Sequence, residues 1–362
     1  MRILHVCSAD YIMGGGISEY VRNISERLAR RNEVTVFASN RTGRLPSYEV
    51  KNGVTVVRFR SYAPSGAYIF SLELPIMLSK ARFDVVHAHN YHAFPIHVAA
   101  ALNKYSKFVI SPCFHGSGHT SFRDFILRML KPFGKRTLKK ADEILAASEY
   151  ERFLLCRHFG FKSDEIAVIP RGVDFSEFEG LKRRRRKFKS ILFVGRLIDY
   201  KGVHYLVEAL PKLPDDVILE IVGKGPLRSN LAARAETLKV FDRIKFYQNL
   251  ERRELLQIYA DSDVFVLPSR YEAYSKVVAE ALMAGTPCIV TNASALKEWV
   301  DNESCFGIDC PVDTDKLAKL IASVIECDLN KKSIARTREK WIGTKIIDWN
   351  DVVSRLEEVY NN

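Results

Sequence analysis

The chain has 362 residues, 47% hydrophobic and 27% charged, the make-up of a folded globular protein rather than of a disordered or fibrous one. Its net charge of +12 is concentrated: "SFRDFILRMLKPFGKRTLKK" (121–140) carries +6 and "LKRRRRKFKS" (181–190) carries +7. The remainder is close to neutral, which argues against a general nucleic-acid binder.

At ~150 residues per domain the length suggests two domains. Seven scattered cysteines form no Cys-x-x-Cys pair, so reduced thiols are expected rather than disulfides or a zinc site. The N-terminal "MRILHVCSADYIMGGG" lacks the apolar core of a secretion signal, and no apolar run approaches the ~18 residues of a bilayer span. A cytoplasmic protein is expected.

In chain order, "RILHVCS" (2–8), "EVTVFAS" (33–39), "VTVVRFR" (54–60), "DVVHAH" (84–89), "KFVIS" (107–111), "EILAAS" (143–148) and "IAVIP" (166–170) read as strands. Several are apolar on both faces, as buried parallel strands are. Between them run amphipathic helices such as "SEYVRNISERLARR" (18–31), which places Tyr20, Val21, Ile24 and Leu28 on one face. Residues 174–190 break the pattern. It restarts with "ILFVG" (191–195), "VILEIVG" (217–223), "RIKFY" (243–247), "DVFVLPS" (263–269) and "PCIVT" (287–291). The result is an α/β chain of two doubly wound units: 1–174, a basic linker 175–190, and 191–341, followed by a last amphipathic helix about 342–362. Such sheets bind ligands at their carboxyl edges, beside helix N-termini.

Five stretches carry chemistry. In "SADYIMGGGISEYV", Gly14, Gly15 and Gly16 follow a strand, and Ser18 is placed as the N-cap of the next helix. Read alone, this is either a ligand-cradling turn or an ordinary flexible one, and it is neither a dinucleotide nor a P-loop fingerprint. In "FVGRLIDYKGV", Arg196 and Lys201 follow a strand and suit a pyrophosphate. In "RYEAYSKVVAEALMAG", Glu272 lies in the loop and Glu280 lies within an apolar helix. Ionised Glu is almost never buried without donors, so Glu280 calls for ribose hydroxyls or a buried cation unless that side faces water. Among the histidines, His115 in "CFHGSGH" suits a hydrogen-bonding or acid–base role, whereas His87 and His89 lie in or at the end of a strand and His87 reads as structural. The His-x-His and His115/His119 spacings lack a further ligand nearby in sequence. The Asp-x-Asp of "ADSDVFV" (Asp261, Asp263) precedes its strand and reads as a cap and turn rather than a metal site.

Taken together and in this order, these motifs resemble the retaining, nucleotide-sugar-dependent glycosyltransferases of the GT-B fold, of the "glycosyl transferases group 1" type. Glu272 and Glu280 match that family's E-x7-E motif. Gly195, Arg196, Lys201 and Gly202 match its diphosphate-holding G-R-x(4)-K-G run. The resemblance implies two Rossmann-like domains facing a cleft, the first for the acceptor and the second for the donor, with the C-terminal helix crossing back to the first. It implies that Arg196 and Lys201 neutralise the diphosphate and that Glu280 bonds the ribose. It further implies that Glu272 and the backbone of Ala273, Tyr274 and Ser275 hold the donor sugar and phosphate, that His115 bonds the donor sugar from the opposite domain, and that Gly15 and Gly16 bind the donor. Asn249 and Leu250 would border the base. No metal cofactor is expected. The partners implied are a nucleotide-diphosphate sugar and a sugar or lipid-linked hydroxyl acceptor, with no nucleic acid.

Departures from the family pattern are "EAYS" for the commoner Glu-Gly-Phe-Gly, Arg171 for an Asn, Gln248 for a Gly, and "TNASALKEW" (291–299) for a Gly-Gly-x-Pro-Glu loop. The bulkier Tyr274 and Ser275 put the donor sugar in question. A sugar-nucleotide epimerase and a non-catalytic polyanion binder are the competing readings. The first lacks acid–base carboxylates in the first domain and the second rests on the basic stretches alone. In 121–140, Phe122, Phe125, Ile126, Met129, Leu130 and Phe133 recur at helical spacing. They suit a domain helix with its apolar face inward, which is the preferred reading, or peripheral contact with anionic membrane at the inner face. The run 182–187 reads as a solvated linker.

Overall fold

The computed structural model describes residues 1–12, 15–62, 69–104, 106–117, 121–327 and 339–362, without the side chains of 121–124 and 126. Gly14 and His119 lie outside the described residues, as do the side chains of Phe122 and Ile126. The chain divides into two compact units, Met1–Gly172 with Trp349–Asn362, and Val173–Asp348.

The first unit is built on eight strands: β1 Arg2–Val6, β2 Glu33–Asn40, β3 Tyr48–Lys51, β4 Val54–Arg60, β5 Val85–His89, β6 Lys107–Ser111, β7 Glu143–Ala146 and β8 Ile166–Val168. Their order is β3-β4-β2-β1-β5-β6-β7-β8, parallel except for the β3–β4 hairpin. That hairpin turns at Asn52 and Gly53, both at positive φ, as a tight turn between twisted strands requires. The chain order reverses between β1 and β5, which places a topological switch point at their carboxyl ends. Helices of this unit are α1 Gly16–Leu28, α2 Glu73–Lys80, α3 Phe94–Leu102, α4 Ser121–Leu138 and α5 Glu149–Phe159.

The second unit has six parallel strands: β9 Lys189–Val194, β10 Val217–Val222, β11 Ile244–Tyr247, β12 Val264–Leu267, β13 Cys288–Thr291 and β14 Cys305–Ile308, in the order β11-β10-β9-β12-β13-β14. Its switch point lies between β9 and β12. The central strands are buried on both faces, which is why they read as continuous apolar runs. Its helices include α6 Val203–Ala209, α7 Arg228–Thr237, α8 Arg252–Asp261, α9 Lys276–Met283 and α10 Thr314–Glu326. The last helix, α11 Trp349–Asn361, belongs to the first unit, where it packs on α1. Residues 342–348, expected with that helix, instead belong to the second unit. There the Tyr274 hydroxyl donates to the Lys345 carbonyl at 2.6 Å, and Lys345 Nζ donates to the Glu298 carbonyl.

The basic run is largely exposed, as a solvated linker is, but it is not free of the unit it precedes. Its arginine heads reach carboxylates that the second unit buries. Arg184 meets Asp261 with its backbone N–H and its Nε, each at 2.8 Å, and with its Nη2 at 2.5 Å. Arg186 Nη1 lies 2.5 Å from Glu220, which also accepts from the Tyr247 hydroxyl at 3.0 Å. Arg183 Nη2 lies 2.5 Å from Asp263. A buried carboxylate without such donors costs several kcal/mol, so the run closes the unit electrostatically. Asp261 and Asp263 therefore serve as receptors for the arginines as well as ending α8.

In the first unit three histidines meet on one sheet face. His5 faces His87 in register across β1 and β5, and His89 follows two residues later. All three are fully buried. His5 Nδ1 lies 3.1 Å from His89 Nε2, and His87 bonds Ser111 Oγ at 2.8 Å and the Tyr360 hydroxyl of α11 at 2.6 Å. Their nitrogens fall within 4.8 Å of one another, a spacing that the sequence alone did not suggest for His5. Burial holds His5 down to about 3 and His87 and His89 well below the usual value.

Two predictions follow from these contacts. The histidines are neutral when folded and titrate near 6.5 when unfolded, so their stabilisation is complete above that pH and is lost as pH falls below it. Each contributes about 1.4 kcal/mol per pH unit between pH 6 and 5. Glu151, which burial pushes up to about 7, acts in the opposite sense and offsets one of the three. Urea melts at pH 7.5, 6 and 5 should show this slope, with His5→Gln reducing it; a flat profile would contradict it. Second, Arg184→Ala should cost about 1 kcal/mol, because the Arg184 head is largely exposed and Asp261 keeps the residue-184 N–H, Gln257 and Arg186. Arg185→Ala, at an exposed site in the same run, should stay within about 0.5 kcal/mol by the same melts.

Candidate active site

In the second unit, β9 ends at Val194 and β12 at Leu267, side by side at the switch point. The segment after β9 makes a short turn over Asp199–Lys201. The Tyr200 carbonyl of that turn accepts the Arg270 N–H at 2.8 Å, which ties it to the segment after β12. Gly202 makes the approach possible. It sits at φ +72°, and a Cβ there would lie 2.1 Å from the Pro268 carbonyl oxygen.

This geometry brings Lys201 and Glu272 together as a mostly buried ion pair, Nζ to Oε1. Arg196 stands exposed beside them, its Nη2 2.5 Å from the Tyr200 hydroxyl. Two cations and a carboxylate thus share one strand edge. Asn249 and Leu250 follow β11, three strands from β12 in the sheet. Asn249 is exposed at φ +54°.

Glu280 is 3% exposed on α9, so the solvent-facing alternative does not hold. Its donors are cations. Arg252 Nη1 of α8 lies 2.7 Å from Oε1 and Lys276 Nζ lies 3.2 Å from the same oxygen. Arg252 also grips Glu177 through Nε and Nη2 at 2.8 and 2.7 Å. Burial opposes the charge on Arg252, and the carboxylates of Glu280 and Glu177 more than offset it, raising its pKa. Lys276 is legible in sequence at i, i+4. Arg252, 28 residues upstream, is not.

The stretch between the two glutamates corrects one expectation. Tyr274 does not crowd the loop with its side chain: its ring is buried against Trp299 at 5.4 Å, and its carbonyl accepts from Trp299 Nε1 at 2.8 Å. Ser275 sits at φ +78°, the left-handed region, which explains why glycine is commoner there. It caps α9 with no side-chain hydrogen bond, and its Oγ is buried without a partner. Ala273, which precedes them, is half-buried. The replaced segment 291–299 supports this stretch. Ser294 Oγ accepts the Glu272 N–H at 3.0 Å, and the Ala295 N–H donates to the Glu272 carbonyl at 3.2 Å. Ser294 and Trp299 were not singled out in the sequence.

In the first unit, the loop after β1 leads to Gly15, which caps α1 at φ 77°, ψ −155°, a conformation open to glycine. Gly16 begins the helix, so Ser18 is not the cap. It lies inside α1, buried, and its hydroxyl donates to the Asp10 carbonyl. At the neighbouring strand end, Asn90 Nδ2 donates to Ser8 Oγ at 3.0 Å. His115 follows β6 and stacks on His92, ring centres 4.8 Å apart. Glu151 of α5 accepts the Phe114 N–H at 2.6 Å and the Ala147 N–H at 2.8 Å, fixing the turn that presents His115. Arg171 lies 3.7 Å over the Tyr20 ring and donates to Cys113 Sγ at 2.8 Å.

Two family models match the chain: "Glycosyltransferase Family 4" over residues 14–177 and "Glycosyl transferases group 1" over residues 176–342. Glycogen synthase from Mycobacterium tuberculosis is 29% identical over 395 aligned positions, covering 99% of this chain and 94% of that protein. Among solved structures, sucrose-phosphate synthase from Thermosynechococcus elongatus superimposes with a TM-score of 0.82 at 21% identity, covering 100% of this chain and 98% of that one. Anabaena Alr3699/HepE, solved in complex with UDP, gives 0.81 at 18%, covering 100% of both. With the two family models meeting end to end along the two Rossmann-like units, the chain belongs to the group 1 glycosyltransferases and has the GT-B fold.

Proposed function

We propose that this glycosyltransferase is retaining and metal-independent, and that it moves a hexose from a nucleotide-diphosphate sugar to a hydroxyl of a glycan or lipid-linked acceptor. The observation that carries the reading is the grouping at the β9/β12 switch point of Lys201, Glu272 and Arg196, next to the uncapped start of α9. The relative solved with UDP supports the nucleotide half of the donor.

In this reading Arg196 and Lys201 neutralise the diphosphate and stabilise the charge that grows on it as the glycosidic bond breaks. The N-terminus of α9 and the unpartnered Ser275 Oγ add donors for a phosphate oxygen. Two cations and a helix terminus do the work that a metal ion does elsewhere. Glu272 holds the sugar, with the backbone of Ala273 to Ser275. Glu280, held in place by Arg252 and Lys276, accepts from the ribose hydroxyls. Asn249 and Leu250 border the base. In the first, acceptor-binding unit, His115 and the Gly15–Gly16 turn are assigned to sugar contacts. The acceptor hydroxyl attacks on the face the diphosphate leaves, and the diphosphate takes the proton, so no protein nucleophile is required.

Calorimetric titration with UDP, GDP and ADP in EDTA tests the core of this. One nucleotide should bind, and Lys201→Ala and Glu280→Ala should each weaken it about 10- to 100-fold, the worth of a charge-assisted hydrogen bond. If no nucleotide binds and neither variant alters donor hydrolysis, the reading fails. Turnover of the identified donor should also survive EDTA within a factor of two; a loss of ten-fold or more that Mn²⁺ or Mg²⁺ restores would overturn metal independence.

A further inference from the structure

We propose that α4 is a docking helix that lays an exposed apolar face on an anionic lipid bilayer. The inference stands apart from the proposed reaction. It begins with an expectation that the fold reverses: of the apolar row read in 121–140, the four residues whose side chains are described, Phe125, Met129, Leu130 and Phe133, do not point inward. The inward face consists of Leu127, Gly134, Thr137 and Leu138. Gly134 sets that orientation, because a Cβ there would lie 1.8 Å from the Tyr91 hydroxyl.

With that face down, Phe125, Met129 and Phe133, at i, i+4 and i+8, turn to solvent together with Leu130. Their exposures are 58%, 65%, 51% and 48%. Leaving four large apolar side chains in water on one helix forfeits the burial that normally justifies such residues. The apolar face continues past the helix. The Phe133 ring lies 5.0 Å from His97, which is one turn along α3 from the exposed Phe94. The Phe94 ring in turn lies 5.1 Å from the exposed Phe70.

Charge identifies the occupant. Arg128, Lys131, Lys135 and Arg136 lie on the same helix, and none of them is in an ion pair among the described residues. Apolar residues with basic ones around them on a surface helix match the two layers of an anionic leaflet, acyl boundary and headgroups. Nucleic acid would satisfy the cations and leave the apolar row wet. A second copy of this chain, paired through the same face, would set the cations against each other. No helix among the described residues is long and apolar enough to cross a membrane, so the helix lies on the surface.

Sedimentation of the full chain with vesicles decides it, using phosphatidylcholine alone and phosphatidylcholine mixed with phosphatidylglycerol. The protein should partition at least ten-fold better onto the mixed vesicles, and added salt should weaken this. Arg128→Gln with Lys131→Gln should lower partitioning about 25-fold, roughly five-fold per cation. Phe125→Ser, Met129→Ser and Phe133→Ser together should lower it ten-fold or more, with an unchanged thermal melt because these sites are exposed. Equal partitioning onto neutral and anionic vesicles would overturn the proposal, as would full binding by the triple-serine variant. So would a concentration-dependent dimer, in sedimentation velocity, that the triple-serine variant abolishes, since the face would then belong to a second copy.

Discussion

A buried charge has to be answered, and the second unit is organised around that requirement. Four carboxylates lie in or near its core: Glu220 on β10, Asp261 at the end of α8, Glu272 after β12, and Glu280 on α9. Each is met by a cation from another part of the chain: Arg186, Arg184, Lys201 and Arg252. Asp261 and Glu280 each have a second cation, Arg186 and Lys276, so that no single contact carries the whole charge. The residues of the candidate site and those of the fold are therefore joined. Arg252 holds Glu280 with one nitrogen and Glu177 with two others, so the helix that presents Glu280 is tied to the chain's entry into the unit.

The parallel sheets convert this chemistry into position. Where strand order reverses, the segments leaving β9 and β12 diverge to opposite faces and leave room for a ligand at the carboxyl edge. The Gly202 contact with the Pro268 carbonyl closes that junction from below, and the Tyr200 carbonyl pins it through the Arg270 N–H. In the first unit the equivalent edge is braced by Asn90 reaching Ser8 and by Glu151 holding the turn before His115. Below that edge, His87 joins the sheet to α11 through Tyr360, which accounts for a C-terminal helix belonging to the first unit.

Departures from the family pattern acquire physical reasons in the structure. The segment 291–299 replaces a glycine-rich loop and still supports Glu272, through Ser294 and the Ala295 N–H. Tyr274 looked like an obstruction in sequence and is a buried anchor. Ser275 carries the backbone cost of a position that favours glycine, and its hydroxyl is left unpartnered.

The alternation of two-faced apolar runs with amphipathic helices was enough to read two doubly wound units, because buried parallel strands and surface helices have different periods. The hairpin strand β3 and the edge strand β14 went unread: YEVK is half-exposed and polar and CFGI is broken by a glycine, so neither is an apolar run, although Asn52-Gly53 was a usable turn signal. Local spacing also marked Arg196, Lys201, Glu272 and Glu280, since loop ends after strands are where ligands meet parallel sheets. What the sequence left open depended on contacts between residues far apart in the chain. The partners of Glu280, the burial of Tyr274, the meeting of His5 with His87 and His89, and the engagement of the arginine run are all of this kind. The same is true of α4, whose periodicity defined an apolar face but not its direction. A single tight contact, Gly134 against Tyr91, turned that face to the solvent.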